Sequence, residues 1–427
     1  MIGGLIKASH IFILYNLMIP FIAFFMLNKI LLLRPGGYGE TTLLEKNPLY
    51  GKFVDNKPYF TAAMIAVPLI LLGLLPLIFQ YTPLPGLIGM QQDYTFAELG
   101  LDFGGLGAEK LFDFRPLDDG SGVTGPFGIG ALLLSLFIPL GIALFFVIAH
   151  GKKTKEIIVE RNKTRDLEKE FNNSLFQLGN RLGNGMPPEL VFAKVAESTK
   201  GLKTEDFFKR VNYNIQQMGM GVEEAIFDSR RGALIFYPSD LIGTSMKILV
   251  ESVKKGLNMA AISLMSISQY VKNIQKITGR LRDLLAEVIS EMKSNMTFLA
   301  PLLLGIVVGL SIMITSILGK LSIDIVGQAG EGALGGIGGL GQITQLFQIT
   351  KMIPPYFLQI AVGIYLIEII FVLTGTLVSI DSGDDKLEKM AKTGSNLKKG
   401  VLLYFIVAFM AAAVLSALSS IVLGGLL

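Results

Sequence analysis

The sequence predicts an all-α integral membrane protein of about six transmembrane helices with a central cytoplasmic bundle of helical hairpins. Three observations predict it. Apolar residues make up 51% of the 427-residue chain and its mean hydropathy is +0.56, yet 17% of residues are charged, so charge and hydrocarbon must be segregated along the chain. Six stretches of about 20 apolar residues recur, the length that crosses about 30 Å of hydrocarbon. Between the third and the fourth lies a charged region of helical periodicity, 151–295.

In chain order the spans are expected at 11–33, 60–79 and 129–149, then at 298–317, 356–377 and 401–423. The apolar run of the first is too long for a cleaved signal peptide, and no small-residue cleavage site follows it before "LLLRPGGYGE". Lys and Arg set the orientation. Four lie in 34–59, 23 in 151–295 and five in 380–400, against two each in 80–128 and 319–355, and 80–128 also carries seven acids. Cytoplasmic loops collect Lys and Arg, so both termini are expected outside. The chain then divides into an N-terminal membrane region (1–149, three spans and the external loop 80–128), a cytoplasmic bundle (150–295) and a C-terminal membrane region (296–427, three spans). The expected location is the cytoplasmic membrane, with the lipid bilayer as a partner. The net charge of +4 is the sum of this asymmetry and implies no nucleic-acid partner.

Within the central region, Phe171, Leu175, Leu178 and Leu182 recur at four, three and four, and Phe208, Val211, Ile215 and Met218 at three, four and three, each set on one helix face. Gly185, Gly221 and Gly256, spaced 36 and 35 apart, each end one helical pattern shortly before the next begins. Glycine there can take the left-handed conformation that closes a helix, and Pro187 and Pro188 suit a first helical turn. Three hairpins are expected; the spacing is near that of tetratricopeptide repeats, but their Trp-containing pattern is missing and the chain has no Trp. The last helix is the longest. Leu264, Ile267, Val271, Ile274, Leu281, Leu285, Val288 and Met292 form one stripe, and no proline intervenes from Gly256 to Thr297. At 1.5 Å per residue, about 35 residues reach roughly 50 Å. Such a helix would pass a push or a torque to the fourth span, with Gly279 as a candidate kink; ordinary packing gives the same pattern.

The stretches "LGNRLGNGMPPELVFAKVAE", "NIQQMGMGVEEAIFD" and "KKGLNMAAISLMSISQYVKNIQKITGRLRDLLAEVISEMKSNMTFLAPLLL" resemble the type II secretion F-domain family, which includes the platform proteins of type IV pili, tight-adherence pili and archaella. The resemblance covers about 145 to 170 residues. It is one of overall pattern: helix, Gly-containing turn, Ala-rich helix, then a Gly-started long helix, rich in Arg and Glu, that runs into a span. This chain departs from the family by one additional N-terminal span and two sizeable external loops. The resemblance implies a non-enzymatic platform that sits on a cytoplasmic hexameric secretion-type ATPase and helps draw pilin-like subunits from the bilayer into a filament. Charges in "TEDFFKR", "SRRG" and "VKKG" then supply a candidate ATPase-docking surface, Lys209, Arg210, Arg230, Arg231, Lys254 and Lys255. A solvated face is the alternative reading of the same charges.

Catalytic and cofactor motifs are missing. No G-x-x-x-x-G-K-[ST] occurs, so energy would come from a partner. "GIGGLG" (336–341) fits G-x-G-x-x-G by chance, in a Gly-rich segment without a preceding strand. There is no G-x-S-x-G elbow, no H-E-x-x-H and no Cys, and the two histidines, His10 and His150, flank different spans. No metal or cofactor is expected; Asp118 and Asp119 lack the spacing of a calcium loop. Glu368 in "YLIEIIF" stands near the middle of the fifth span, where an ionisable group is costly and is a functional-site candidate. It pairs with a neighbouring helix, meets the charged end of a pilin-like segment, or carries protons. Gly305 and Gly309 in "GIVVG" fit the spacing of close helix packing, within one chain or across a homodimer. Two further function classes compete with the platform. A proton-driven stator would use Glu368, and a secondary transporter would need paired broken spans that the sequence lacks.

Overall fold

The computed structural model describes residues 7–31, 55–100, 110–116, 123–237, 239–328, 352–383 and 385–424. Asp118, Asp119 and the segment 336–341 lie outside the described residues. The described chain is nearly all helical, and six helical runs are long and apolar enough to cross a membrane: Ala8–Lys29, Lys57–Tyr81, Ile129–Gly183, Leu257–Leu318, Pro355–Ser382 and Lys386–Ser416.

The first run joins α1 (Ala8–Ile13), a π-helical turn (Leu14–Met18) and α2 (Ile19–Leu31). Next comes α3 (Lys57–Tyr81), with Pro58 in its first turn, where the missing N–H costs nothing. The short α4 (Leu84–Ile88) and an antiparallel pair, β1 (Arg115–Pro116) and β2 (Val123–Thr124), follow it. Then α5 (Ile129–Ser135) leads into α6 (Phe137–Gly183). Small residues let α3 and α6 meet: a Cβ on Gly73 would fall 2.5 Å from Ile138 Cγ1, and one on Gly141 2.8 Å from Ile70 Cγ1. The helix of the third expected span does not stop at 149. It continues unbroken for 47 residues, about 70 Å, because a single glycine, Gly151, does not end a helical pattern.

The far half of α6 enters a hydrophobic core built around Phe171. Against it lie α7 (Pro188–Ser198), α8 (Glu205–Gln216), α9 (Val222–Phe227), a 3-10 turn (Ala233–Ile235) and α10 (Asp240–Val253). The chain then returns along α11 (Leu257–Ser294). Phe171, Phe192, Phe207 and Phe208 are fully buried there; Phe171 stacks on Phe208 at 5.8 Å between centroids, and Phe207 meets Phe208 edge-on at 5.2 Å. Gly185 is left-handed (φ +83°) and closes α6, with Met186 N–H donating to the Arg181 carbonyl and Gly185 N–H to that of Leu182. Gly221 departs from expectation. Its backbone is extended (φ −64°, ψ 157°) and it caps α9, while Gly219 two residues earlier takes the positive φ of +66°. The reversal has to be complete before the extended entry into α9, so the last glycine cannot supply it.

The stripe expected on α11 also divides. Leu264 and Val271 are buried, whereas Ile274, Leu281 and Val288 are exposed. A π-helical turn (Asn295–Leu299) carries α11 directly into α12 (Ala300–Gln328). The remaining helices are α13 (Pro355–Ser382), the principal neighbour of the α1–α2 run, and α14 (Lys386–Gly424). Residues 386–400, expected as loop, are the first turns of α14. Asp385 starts it by accepting the Glu388 N–H at 3.1 Å, an N-cap followed by Glu at the third helical position. A separate core, within the apolar helices, gathers Leu132, Ala143, Val308, Leu366, Ile370, Val401 and Tyr404.

Candidate functional site

Charged residues from the middle of α6 and the second half of α11 meet the end of α13 and the start of α14. Asp385, only 3% exposed, forms an ion pair with Arg161 of α6, whose guanidinium also stands 3.9 Å from Glu388. Lys392, one turn further along α14, bridges Asp381 at 2.8 Å and Glu388 at 2.7 Å. Arg282 of α11 reaches Asp381 at 3.5 Å. One network therefore ties four helices together. Removing one partner of a buried pair strands the other, at a cost of about 3–5 kcal/mol, so this collar holds its members in a fixed relation.

Just inside the collar is a polar joint. The Asn396 side-chain amide donates to Thr374 Oγ1 at 3.0 Å and lies 3.3 Å from the Met296 sulfur, which Thr374 Oγ1 approaches at 3.4 Å. Met296 is fully buried and sits in the π-helical turn between α11 and α12. Gly400 presses on the same turn: a Cβ there would come 3.0 Å from the Met296 carbonyl oxygen and 2.7 Å from Ile370 Cδ1. A π turn admits one residue more than an α turn and recurs at functional positions. Here it coincides with the point at which the helix of the Phe171 core becomes an apolar membrane-length helix.

Glu368 lies on α13, one turn beyond Tyr365, which packs edge-on against Tyr15 of the first run at 5.8 Å. Among the described residues, Glu368 Oε2 is buried without a hydrogen-bond partner, and so are both polar atoms of Asn16. Tyr15 and Asn16 occupy the π-helical turn of the first run. Asn16 escaped the sequence reading, although a lone Asn inside "FILYNLMIPF" was the available signal.

The six candidate docking cations are all exposed. Lys209 pairs with Glu205 at 2.6 Å, Lys254 with Glu223 at 3.0 Å, and the Arg210 guanidinium lies 3.4 Å over the Phe236 ring. The backbone N–H groups of Arg230 and Arg231 both donate to Asp228, which holds its carboxyl below the ordinary carboxylate range. Of these contacts only Lys254–Glu223 reaches α9; Lys209 pairs within α8, Arg210 lies over the residue that follows the 3-10 turn, and Lys255 comes just after the end of α10. Gly305 and Gly309 face α14 of the same chain, where a Cβ would meet Val407 Cγ1 at 2.7 Å and Ala411 Cβ at 2.5 Å. His150 is buried beside Phe146 and Phe371, and His10 caps the start of α1. No group of three or more metal-ligating side chains occurs among the described residues. Compared with protein-family models, curated proteins and solved structures, the chain matches none.

Proposed function

We propose that this chain is a membrane platform for assembling a type IV-like filament, or for a related secretion machine, which couples a cytoplasmic hexameric ATPase to the movement of pilin-like subunits. One observation carries the reading. Two helices, α6 and α11 with α12, run without interruption from the Phe171 core into membrane-length apolar segments, and the Arg161–Asp385 collar ties them sideways to α13 and α14. A helix closed by its own hydrogen bonds transmits displacement along its axis, so a partner that turns or pushes the exposed core moves the apolar helices with it. The sequence carries no P-loop of its own, which leaves the energy to that partner. The test is a detergent pull-down of the intact protein, against Arg230→Glu/Arg231→Glu and a deletion of 171–269, followed by mass spectrometry. Recovery of a secretion-type ATPase with the intact chain alone supports the platform; its absence under conditions that keep other membrane complexes together sinks it.

Glu368 Oε2 and the Asn16 amide, buried without hydrogen-bond partners, favour a second reading, a proton-driven stator. Proton flux into liposomes containing the purified chain separates the two. A flux abolished by Glu368→Gln makes it a stator, whereas a platform gives no flux and Glu368→Gln lowers filament output instead.

A further inference from the structure

Along the middle of α11, Tyr270, Ile274, Ile277, Leu281, Leu284 and Val288 follow one another at four, three, four, three and four. This is the a/d spacing of a coiled coil, with Ile274, Leu281 and Val288 at a and the others at d. All six are exposed, from 45% at Ile274 to 78% at Leu284. At 100° per residue the seam is centred about 80° round the helix from Leu264, Ile267, Ile289 and Met292, which pack into the hydrophobic cores of the chain. The seam and the packed side of the helix are therefore largely separate faces.

We infer that α11 pairs with α11 of a second copy of this chain as a short parallel coiled coil below the membrane. The heptad spacing calls for another helix of the same period, and among the described residues no other helix carries an exposed stripe of this length and spacing. The orientation rests on the membrane part of the platform reading. Because α11 continues into α12, two copies inserted the same way in one bilayer bring α11 to α11 in parallel, with like residues in each layer. Charge permits this. Arg280 and Glu287 are the charged residues at the flanking e and g positions, and in a parallel pair neither stands opposite a like charge, while Lys272, Lys276 and Asp283 stay on the outside. The six side chains bury roughly 600 Å² on each copy, about 1,200 Å² in total, at the lower end of specific interfaces.

The chain contains no cysteine, so a single introduced thiol reports on one position. Ile277→Cys and Leu284→Cys are placed separately in the full-length protein, in membranes from cells lacking any secretion ATPase, and oxidised. Ala286→Cys, exposed on the other side of α11, is the control. Disulfide-linked species of twice the 46.4 kDa chain are expected at least fivefold more abundant for the two seam positions than for the control. Adding Leu284→Asp to Ile277→Cys should lower the yield at least fivefold. Equal yields at all three positions, or adducts only with another protein, would overturn the pairing. Without the ATPase present, seam crosslinks together with a failed pull-down would remove the platform function and leave the pairing intact.

Discussion

The Phe171 core and the Arg161–Asp385 collar hold the same two helices, α6 and α11, by opposite means. In the core the contacts are aromatic and aliphatic, many and non-directional, and Phe171, Phe207 and Phe208 leave no exposed surface. In the collar and the polar joint beside it, a few ion pairs and one Asn–Thr hydrogen bond fix the angle between helices, next to a π-helical turn and the close approach of Gly400. Close packing makes a rigid body. A small set of directional contacts makes a joint, whose geometry changes when one contact is exchanged for another.

Truncation in the core should have the largest effect. Phe208→Ala removes a fully buried ring and is expected to cost about 3–5 kcal/mol, seen as early proteolysis between α6 and α11 while the apolar helices stay protected. Core and collar melting together would show that the two are one cooperative unit. Next comes Arg161→Met, which strands Asp385 and should cost about 3 kcal/mol in thermal denaturation of the detergent-solubilised protein, with Arg161→Met/Asp385→Leu recovering most of it. If the single and double variants lose the same amount, the pair does not act as one contact. Asn396→Ala removes the hydrogen bond to Thr374 and should cost about 1–2 kcal/mol. Its sharper signature is faster hydrogen exchange confined to 292–300, and a change spread over the whole chain would contradict a local joint. The smallest effect is acidic. Lys203 and Lys169 hold the Asp166 carboxyl below its ordinary value of 3.8, so its contribution is present above that value and is lost as pH falls below it. Asp166→Asn should therefore leave the melting temperature nearly flat between about pH 5 and 8 and weaken only its drop below about pH 4.

Much of the candidate site was legible in part. Glu368 stood out because an acid in an apolar run is expensive, and the apolar sets around Phe171 and Phe208 followed from a 3.6-residue period. Asp385 with Glu388 was a readable helix start, hidden by treating a charged stretch between two apolar ones as loop. Asn16 was passed over because a neutral amide disturbs a hydropathy profile far less than a carboxylate does.

By itself the sequence determined six membrane-length apolar helices, a charged helical region between the third and fourth, and the lack of cysteine and of a P-loop. Local composition and period are enough for that, since each depends on residues within a few turns of one another. Only the tertiary structure decided that Gly219, not Gly221, makes the left-handed turn, that Gly305 and Gly309 face α14, and that the α11 stripe is two stripes, one covered and one bare. It also brought Met296 to Asn396, 100 residues further along the chain, and Arg161 to Asp385. Periodicity tells which side chains share a face, but not what lies opposite that face. The answer depends on how distant helices pack, and so on contacts that no local window contains.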